Sequence, residues 1–414
     1  MKRLALIIFA VIFFFVPTVE GEDSTPAPEP PQIIADSAIL VEASTGRVLY
    51  EKNADQVRQP ASLTKMMTGI LGWENLSPSD EIEVSQNAAY TEYASLRLEP
   101  GDRTNALDLL AGTIIVSDNA GAVAVAEKIA GSSYAFAQMM NAKAEEIGCE
   151  NTHFANPHGL PNLNNVSTAR DLAKIAMYGM RMPQFRETVG TKKRMLYWLY
   201  PADKSEPCEN TNELLYPPAE TKDFITAYYD PTEITGIKTG YTQAAGGCLA
   251  ASAIRGDVEL IVIVLHSADM HTRFNDAAKL LNYGFDQVKN FRQVKSTRMT
   301  RTAFVRGGKS ATVRVDAERD LVYPLVEGED PKKLSLSYDI PKFLDAGINK
   351  GQVIGKAVLK YEGKPVAEVP MVARESVAAG FSITSFIVGL TEPIFLMAEN
   401  FLAVRDVEFV ALNF

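Results

Sequence analysis

The chain has 414 residues, nearly half of them apolar, and a formal net charge of −10. That length allows two or three domains with a large buried core, and the apolar share excludes a disordered chain. The acidic balance argues against a nucleic-acid partner and says nothing about the fold.

Lys2 and Arg3 precede an apolar stretch, Leu4 to Val16, with small residues around Val19-Glu20-Gly21. This order predicts an export signal over residues 1–21, cut after Gly21; the alternative is an uncleaved N-terminal anchor. Residues 22–34 carry Pro26, Pro28, Pro30 and Pro31 and read as an extended linker. Ala38 to Glu42 and Arg47 to Glu51, joined through Ser44-Thr45-Gly46, predict a first hairpin.

Ser62-Leu63-Thr64-Lys65 follows, ahead of Met66, Met67, Ile70, Leu71 and Trp73, whose spacing predicts a buried helix. The i,i+3 spacing puts hydroxyl and amine one turn apart on one face. A serine hydroxyl needs an adjacent base to attack near neutral pH. A lysine serves if burial and a neighbouring cation lower its pKa, and Lys238 is the candidate cation. Helical patterning runs on to about Ile175. It breaks at Ser117-Asp118-Asn119, between the apolar runs 109–116 and 120–126. The break suits a loop that projects a hydroxyl and an amide into a cleft, although Ser and Asn are also ordinary helix caps.

Lys238-Thr239-Gly240 opens an extended region. Strands are predicted over Gly247–Ile254 and Val258–His266, around a turn at Arg255-Gly256-Asp257. Gly240 permits close approach of a ligand to the backbone. A helix at about Arg273 to Tyr283 closes this unit, predicted to span residues 35–287. Two hairpins with helices make an α+β fold with a mainly antiparallel sheet. From Val288 the texture changes to period-two alternation, at 311–315, 333–338 and 356–361. This predicts a small all-β domain over 288–372 with a spacer or protein-contact role.

Residues 373–414 differ again. Ser376 to Thr391 carry no charge, Glu392-Pro393 interrupts, and 394–404 is apolar apart from Glu399 and Asn400. The uncharged run is shorter than the roughly 20 residues a span needs. An in-plane association with a membrane surface is expected, through Phe381, Phe386, Ile387, Phe395 and Phe401. The segment is net acidic and lacks a basic face for anionic lipids, so a partner interface or a tilted span are rivals. Cys149, Cys208 and Cys248 lie far apart, and an odd count leaves one thiol over if a disulfide forms. Neither they nor the four histidines have metal-ligand spacing, so no metal or cofactor is implied.

Taken singly, S-x-x-K or S-x-N turns up roughly once by chance in such a chain, and K-T-G in on the order of one chain in ten. In this order and context the three are the elements of penicillin-recognising serine acyl-transferases. Over about residues 35–372 the chain resembles the low-molecular-mass D-alanyl-D-alanine carboxypeptidases, a branch of the penicillin-binding proteins (serine peptidase family S11). Further matches are Asn156-Pro157-His158-Gly159-Leu160, Ser167 to Ala173, Gly236 to Thr242 and Gly351 to Gly355. These favour that branch over class A β-lactamases, and the Glu that activates the deacylating water in those enzymes has no counterpart here.

The resemblance implies a substrate, peptidoglycan stem peptides ending in D-Ala-D-Ala, and β-lactam antibiotics as covalent inhibitors. It implies an exported enzyme at the outer face of the cytoplasmic membrane or in the cell-wall space. Ser62 would attack the carbonyl between the two D-alanines and Lys65 would take its proton. Ser117, with Lys238, would return a proton to the leaving D-alanine. Asn119 would hold the substrate amide. The backbone N–H groups of Ser62 and Tyr241, beside Gly240, would hold the oxyanion. Thr239 and Arg273 would bind the terminal carboxylate, unless Arg273 is a surface ion-pair residue. His158 is read as structural. The long segment from 216 to 231, with its tyrosines and prolines, departs from the family pattern and is expected beside the cleft. Alternatives are a class A-like β-lactamase, or a sensor or scaffold that acylates without turning over.

Overall fold

The structure, a computed structural model, describes residues 29–220 and 224–387, together with residue 389. The expected export signal lies outside the described residues. At the centre is a five-stranded antiparallel sheet in the order Val48–Lys52, Ser37–Glu42, Val258–Ser267, Gly246–Arg255, Ile234–Thr242. The first hairpin and the 246–267 hairpin form within a residue or two of the predicted bounds. The Lys-Thr-Gly motif lies on the edge strand next to them.

Apolar side chains fill both faces of the inner strands, which is why these strands read as nearly continuous hydrophobic runs. Ile39, Val41, Ala250, Ile261 and Ile263 join one core with Met66, Met67 and Ile70 of the helix Lys65–Asn75. Leu40, Leu249, Ala251, Val262 and Val264 join another with Phe274, Ala277 and Leu281 of the helix Thr272–Gln287. The helix that follows Ser62 and the closing helix therefore cover opposite faces of one sheet.

The stretch predicted as helical contains Lys65–Asn75, Ala106–Ile115, Asn119–Ala130, Ser133–Ile147 and Ala169–Met180, followed by Pro183–Gly190. Its punctuation is local. Asn105, Ser132 and Thr168 cap their helices by accepting from the backbone N–H three residues on. Gly131 and Gly148 end theirs in the left-handed region. Short strands at Glu81–Glu83 and Arg103–Asn105 interrupt the run. They pair with a hairpin, Lys193–Tyr200 and Ser205–Glu209, in a four-stranded sheet absent from the sequence reading. Only Leu196 and Trp198 of Lys193–Tyr200 are buried, so its alternation is short.

The C-terminal β domain is a six-stranded sheet in the order Leu334–Asp339, Val353–Tyr361, Lys364–Ala373, Thr312–Ala317, Thr300–Arg306, Phe343–Asp345. A two-stranded ribbon, Val288–Val294 with Leu321–Val326, accompanies it. Val305, Val313, Val315, Leu359, Val369 and Met371 form its core. Arg47 of the first hairpin reaches into this domain. It makes a two-point ion pair with Glu329 (2.8 Å each), donates to Pro324 O and lies over the Tyr323 ring. The paired guanidinium holds the Glu329 carboxyl below its ordinary pKa, while burial pushes the Tyr323 phenol up to about 12.

Three expectations change. The end of the proline-rich segment is packed, since Ile33 is buried and Asp276 accepts from the N–H groups of Ile34 and Ala35. The tail does not leave the β domain at 373. Val377 is buried in its core, and bridges pair Ile348 with Val377 and Gly308 with Ala379. The 216–231 insertion is not a wall of the cleft. Tyr216, Ile225 and Tyr229 are buried on the sheet face under Phe274, opposite the helix that follows Ser62. Asn275 anchors this segment by accepting from Thr226 and Ala227 N–H and donating to Phe224 O.

Candidate active site

Ser62 sits in a tight turn, Ala61–Thr64, that leads directly into the helix Lys65–Asn75. Ala61 is left-handed, with φ +47°, a conformation that costs a non-glycine residue and persists only where surroundings fix it. Those surroundings are two glycines. A Cβ on Gly159 would lie 2.0 Å from Ala61 O, and one on Gly240 would lie 3.0 Å from Ser62 N. The Asn156 to Leu160 loop and the Lys-Thr-Gly strand thus close on the nucleophile turn from two sides.

Lys65 is wholly buried. Its ammonium nitrogen lies 3.0 Å from Ser62 Oγ, and it donates to Asn119 Oδ1 and His158 O at 2.7 Å each. No carboxylate pairs with Lys65, Lys238 or Arg273 among the described residues. Burial pushes the Lys65 pKa down to about 7, against a smaller upward pull from Asp118. A free amine is therefore present near neutral pH at hydrogen-bond distance from the serine hydroxyl, the geometry a general base requires.

Ser117 has φ +63° and makes no hydrogen bond to Ser62, Lys65 or Lys238 among the described residues. It stands on the same short motif as Asn119, which opens the helix Asn119–Ala130. Asn119 is committed inward. Beyond its bond to Lys65 it donates to Glu92 O at 2.9 Å and Tyr93 O at 3.4 Å.

The sequence reading gave Asp118 no role. Its carboxylate is fully buried, caps the helix through Gly121 N–H, and accepts from the Ser95 and Leu96 N–H groups. Three converging N–H groups satisfy the buried charge. Asp is an ordinary helix-cap residue, but its second grip, on a loop 22 residues upstream, leaves no local signal.

Lys238 is 2 % exposed and donates to Thr239 O at 3.0 Å. Burial, then the neighbouring Lys65 and Arg273, hold it well below the ordinary lysine value. Thr239 Oγ1 lies 2.5 Å from Thr211 Oγ1, so Thr211 is a further residue beside the motif. Asn210 and Asn212 fix its segment by donating to Val189 O and Gly236 O. Tyr241 is half exposed beside Gly240.

Arg273 is not a surface ion-pair residue. It is 7 % exposed in the first turn of its helix, and burial lowers its pKa to about 10. It donates to Gly240 O at 2.6 Å and Cys248 O at 3.3 Å, while its Nε has no partner among the described residues. One edge of the guanidinium fixes the Lys-Thr-Gly strand and leaves a donor unused. The His158 ring is held neutral, its pKa pushed down to about 3 by burial and then by Lys65, and its Nδ1 accepts from Leu160 N–H. Its backbone carbonyl, which residue-type reasoning does not register, accepts from Lys65. All three cysteines are free thiols.

The Ser62 hydroxyl, the Lys65 amine and two further buried basic groups, Lys238 and Arg273, thus lie within electrostatic reach of one another, an arrangement suited to covalent catalysis on a substrate bearing a carboxylate.

Residues 24–269 match the D-alanyl-D-alanine carboxypeptidase family, and residues 287–379 match the C-terminal domain of penicillin-binding protein 5. D-alanyl-D-alanine carboxypeptidase DacF of Bacillus subtilis (strain 168) is 32% identical over 391 residues, covering 92% of this chain and 96% of its own length. D-alanyl-D-alanine carboxypeptidase DacC of Escherichia coli (strain K12) is 32% identical over 383 residues, 90% of each chain. The solved structure of penicillin-binding protein 5 from Haemophilus influenzae superposes with a TM-score of 0.67 at 29% identity, covering 85% of this chain and 99% of that one. With more than half its length matched, this chain belongs to the D-alanyl-D-alanine carboxypeptidase family.

Proposed function

We infer that this chain is a serine-type D-Ala-D-Ala carboxypeptidase acting on peptidoglycan stem peptides. The observation that carries the reading is the wholly buried Lys65 amine, 3.0 Å from Ser62 Oγ with its pKa near 7. Ser62 Oγ attacks the carbonyl of the penultimate D-alanine as its proton passes to Lys65 Nζ. The oxyanion is held by the Ser62 and Tyr241 N–H groups, beside Gly240. The C–N bond then breaks, and the leaving D-alanine nitrogen takes up the proton that Lys65 accepted, relayed through Ser117 with Lys238. Water hydrolyses the ester and restores Ser62.

Asn119 is the group assigned to the substrate amide. Its Nδ2 is engaged by Glu92 and Tyr93 and its Oδ1 by Lys65, and the second lone pair of Oδ1 suits a substrate N–H. Thr239 and the unused donors of Arg273 suit the terminal carboxylate. β-Lactams acylate the same serine.

Export to the outer face of the cytoplasmic membrane or the cell-wall space belongs to the same proposal. So does in-plane attachment through the C-terminal segment. Phe381, Ile383, Phe386 and Ile387 are exposed apolar side chains where that segment begins. Phe395 and Phe401 lie outside the described residues. Among the described residues no helix is long and apolar enough to cross a membrane.

The decisive experiment follows D-alanine release from a stem pentapeptide, with and without penicillin, for the enzyme and for Ser62→Ala. The enzyme should release D-alanine and be blocked by penicillin, and Ser62→Ala should neither release D-alanine nor take up label. Labelling that survives in Ser62→Ala assigns the nucleophile elsewhere. Rapid hydrolysis of the acyl-enzyme with no D-alanine release makes the chain a β-lactamase.

A further inference from the structure

The loop preceding the Ser-Asp-Asn motif is shaped at a cost that the folded core does not explain. Tyr93 is left-handed, with φ +56°, and Arg97 likewise, with φ +50°. Non-glycine residues avoid this region and hold it only where their surroundings compel them. Here the compulsion comes from the catalytic motif. Asn119 Nδ2 grips the Glu92 and Tyr93 carbonyls, and Asp118 grips the Ser95 and Leu96 N–H groups, one on each side of Ala94. The chain of contacts to the nucleophile is short: Tyr93 O to Asn119, Asn119 to Lys65, Lys65 to Ser62 Oγ. Yet the Tyr93 side chain is 80 % exposed. Its burial cannot be what the loop geometry serves. The only other large apolar side chain within 92–97, Leu96, is buried and packs with the Leu109 and Leu110 core. The loop is thus anchored by Leu96 and held by Asp118 and Asn119, and among its exposed side chains, which include Glu92 and Arg97, Tyr93 is the one aromatic ring.

We propose that Tyr93 is a substrate-binding residue of the cleft rim, packing its ring against the stem peptide upstream of the two terminal D-alanines. The inference rests on the carboxypeptidase reading above, and it extends that site beyond Arg273 and Thr239, the residues assigned there to the terminal carboxylate. An aromatic ring gives a large rigid contact surface with few torsions to freeze, so its contribution appears in binding of the longer substrate. The contact has no part in proton transfer, and a substrate too short to reach the ring gains nothing from it.

The test compares the full-length mature enzyme with Tyr93→Gly and Tyr93→Phe. Glycine adopts φ +56° without strain, so Tyr93→Gly removes the ring and keeps the backbone that Asn119 grips. Steady-state kinetics are measured on a stem pentapeptide and on an N-acylated D-Ala-D-Ala dipeptide, with the rate of penicillin acylation alongside. For Tyr93→Gly the ratio of kcat/KM for pentapeptide over dipeptide should fall about five- to tenfold, the change residing in KM. Tyr93→Phe should restore the ratio to within twofold. Equal losses on both substrates and on penicillin overturn the inference, because the residue then serves loop geometry alone. An unchanged ratio with normal rates also overturns it. An unmutated enzyme that releases no D-alanine from either substrate refutes the carboxypeptidase reading itself, a separate result.

Discussion

Asn119 Oδ1 accepts a hydrogen bond from Lys65 Nζ at 2.7 Å, and the same lysine lies 3.0 Å from Ser62 Oγ. The Ser-Asp-Asn motif thereby orients the amine proposed as the base. Without this acceptor and His158 O, no hydrogen bond among the described residues besides the one to Ser62 would hold the amine in place. Burial lowers its proton affinity, and the two acceptors aim its lone pair and protons.

Acylation should therefore follow the free amine of Lys65. With its pKa at about 7, the fraction of active base falls as pH falls through 7. The rate of penicillin acylation should drop on the acid side with that midpoint and level off above it. Lys65→Arg cannot yield its proton near neutrality, and should slow acylation by orders of magnitude in a variant that still folds. A pH-independent rate between 5 and 8 would sink the assignment.

Stability should also depend on pH. Lys65 and Lys238 have folded pKa values below the lysine value of 10.5. Between about 7 and 10.5 the unfolded chain binds more protons at Lys65 than the folded one, so stability rises with pH there. The thiols act oppositely. Cys149, Cys208 and Cys248 are raised from 9.0 to about 12, 11 and 11 by burial. The unfolded state releases their protons first above 9, which lowers stability. The melting temperature should rise from pH 7 to about 9 and then flatten or turn over. Lys238→Met should reduce the rising limb. A flat profile in both proteins would contradict the buried neutral amines.

Much of this was legible in sequence because it is local. Ser62 and Lys65 share a helix turn, Lys238 to Gly240 share a strand, and the inner hairpin strands stand out as short apolar runs bounded by turn residues. What was not legible depends on distant chain segments meeting. Thr211 reaches Thr239 only because Asn210 and Asn212 tie their loop to Val189 and Gly236. The hairpin Lys193–Tyr200 with Ser205–Glu209 buries too few side chains to announce itself. The 216–231 segment looked like a cleft insertion because its aromatic content was visible and the sheet face it covers was not.

Gly159 is a position where only glycine fits. Its φ is +88°, and a Cβ would lie 2.0 Å from Ala61 O and 2.5 Å from Ala61 C. Backbone cannot move aside as a flexible side chain does. Gly159→Ala should displace the turn carrying Ser62, reduce acylation at least a hundredfold and destabilise the protein by about 2 kcal/mol or more. Melting and penicillin labelling measure the two effects. A variant that labels at the normal rate would show that the turn tolerates the shift.

Arg273 carries two duties that a substrate series can separate. Its bonds to Gly240 O and Cys248 O support the Lys-Thr-Gly strand, and its remaining donors are assigned to the substrate carboxylate. Arg273→Ala should weaken a D-Ala-D-Ala peptide by about 1.5–3 kcal/mol more than the same peptide amidated at its C-terminus. The loss common to both peptides measures the support of the strand. Equal losses on both would make the arginine structural only.

The C-terminal attachment is tested best by cutting in the right place. A cut at 372 would remove Val377 from the β-domain core and the 374–379 segment that bridges to Gly308 and Ile348. A cut after Gly380 leaves that core whole and removes Phe386 and Ile387 along with everything beyond. The mature full-length enzyme should bind lipid vesicles, with little difference between neutral and anionic lipid because the segment is net acidic. The protein ending at Gly380 should stay in solution and release D-alanine at the full rate. If it still sediments with vesicles, or if the full-length mature enzyme ignores them, the exposed Phe381, Ile383, Phe386 and Ile387 do not seat the enzyme on a membrane, and the segment packs against a partner instead.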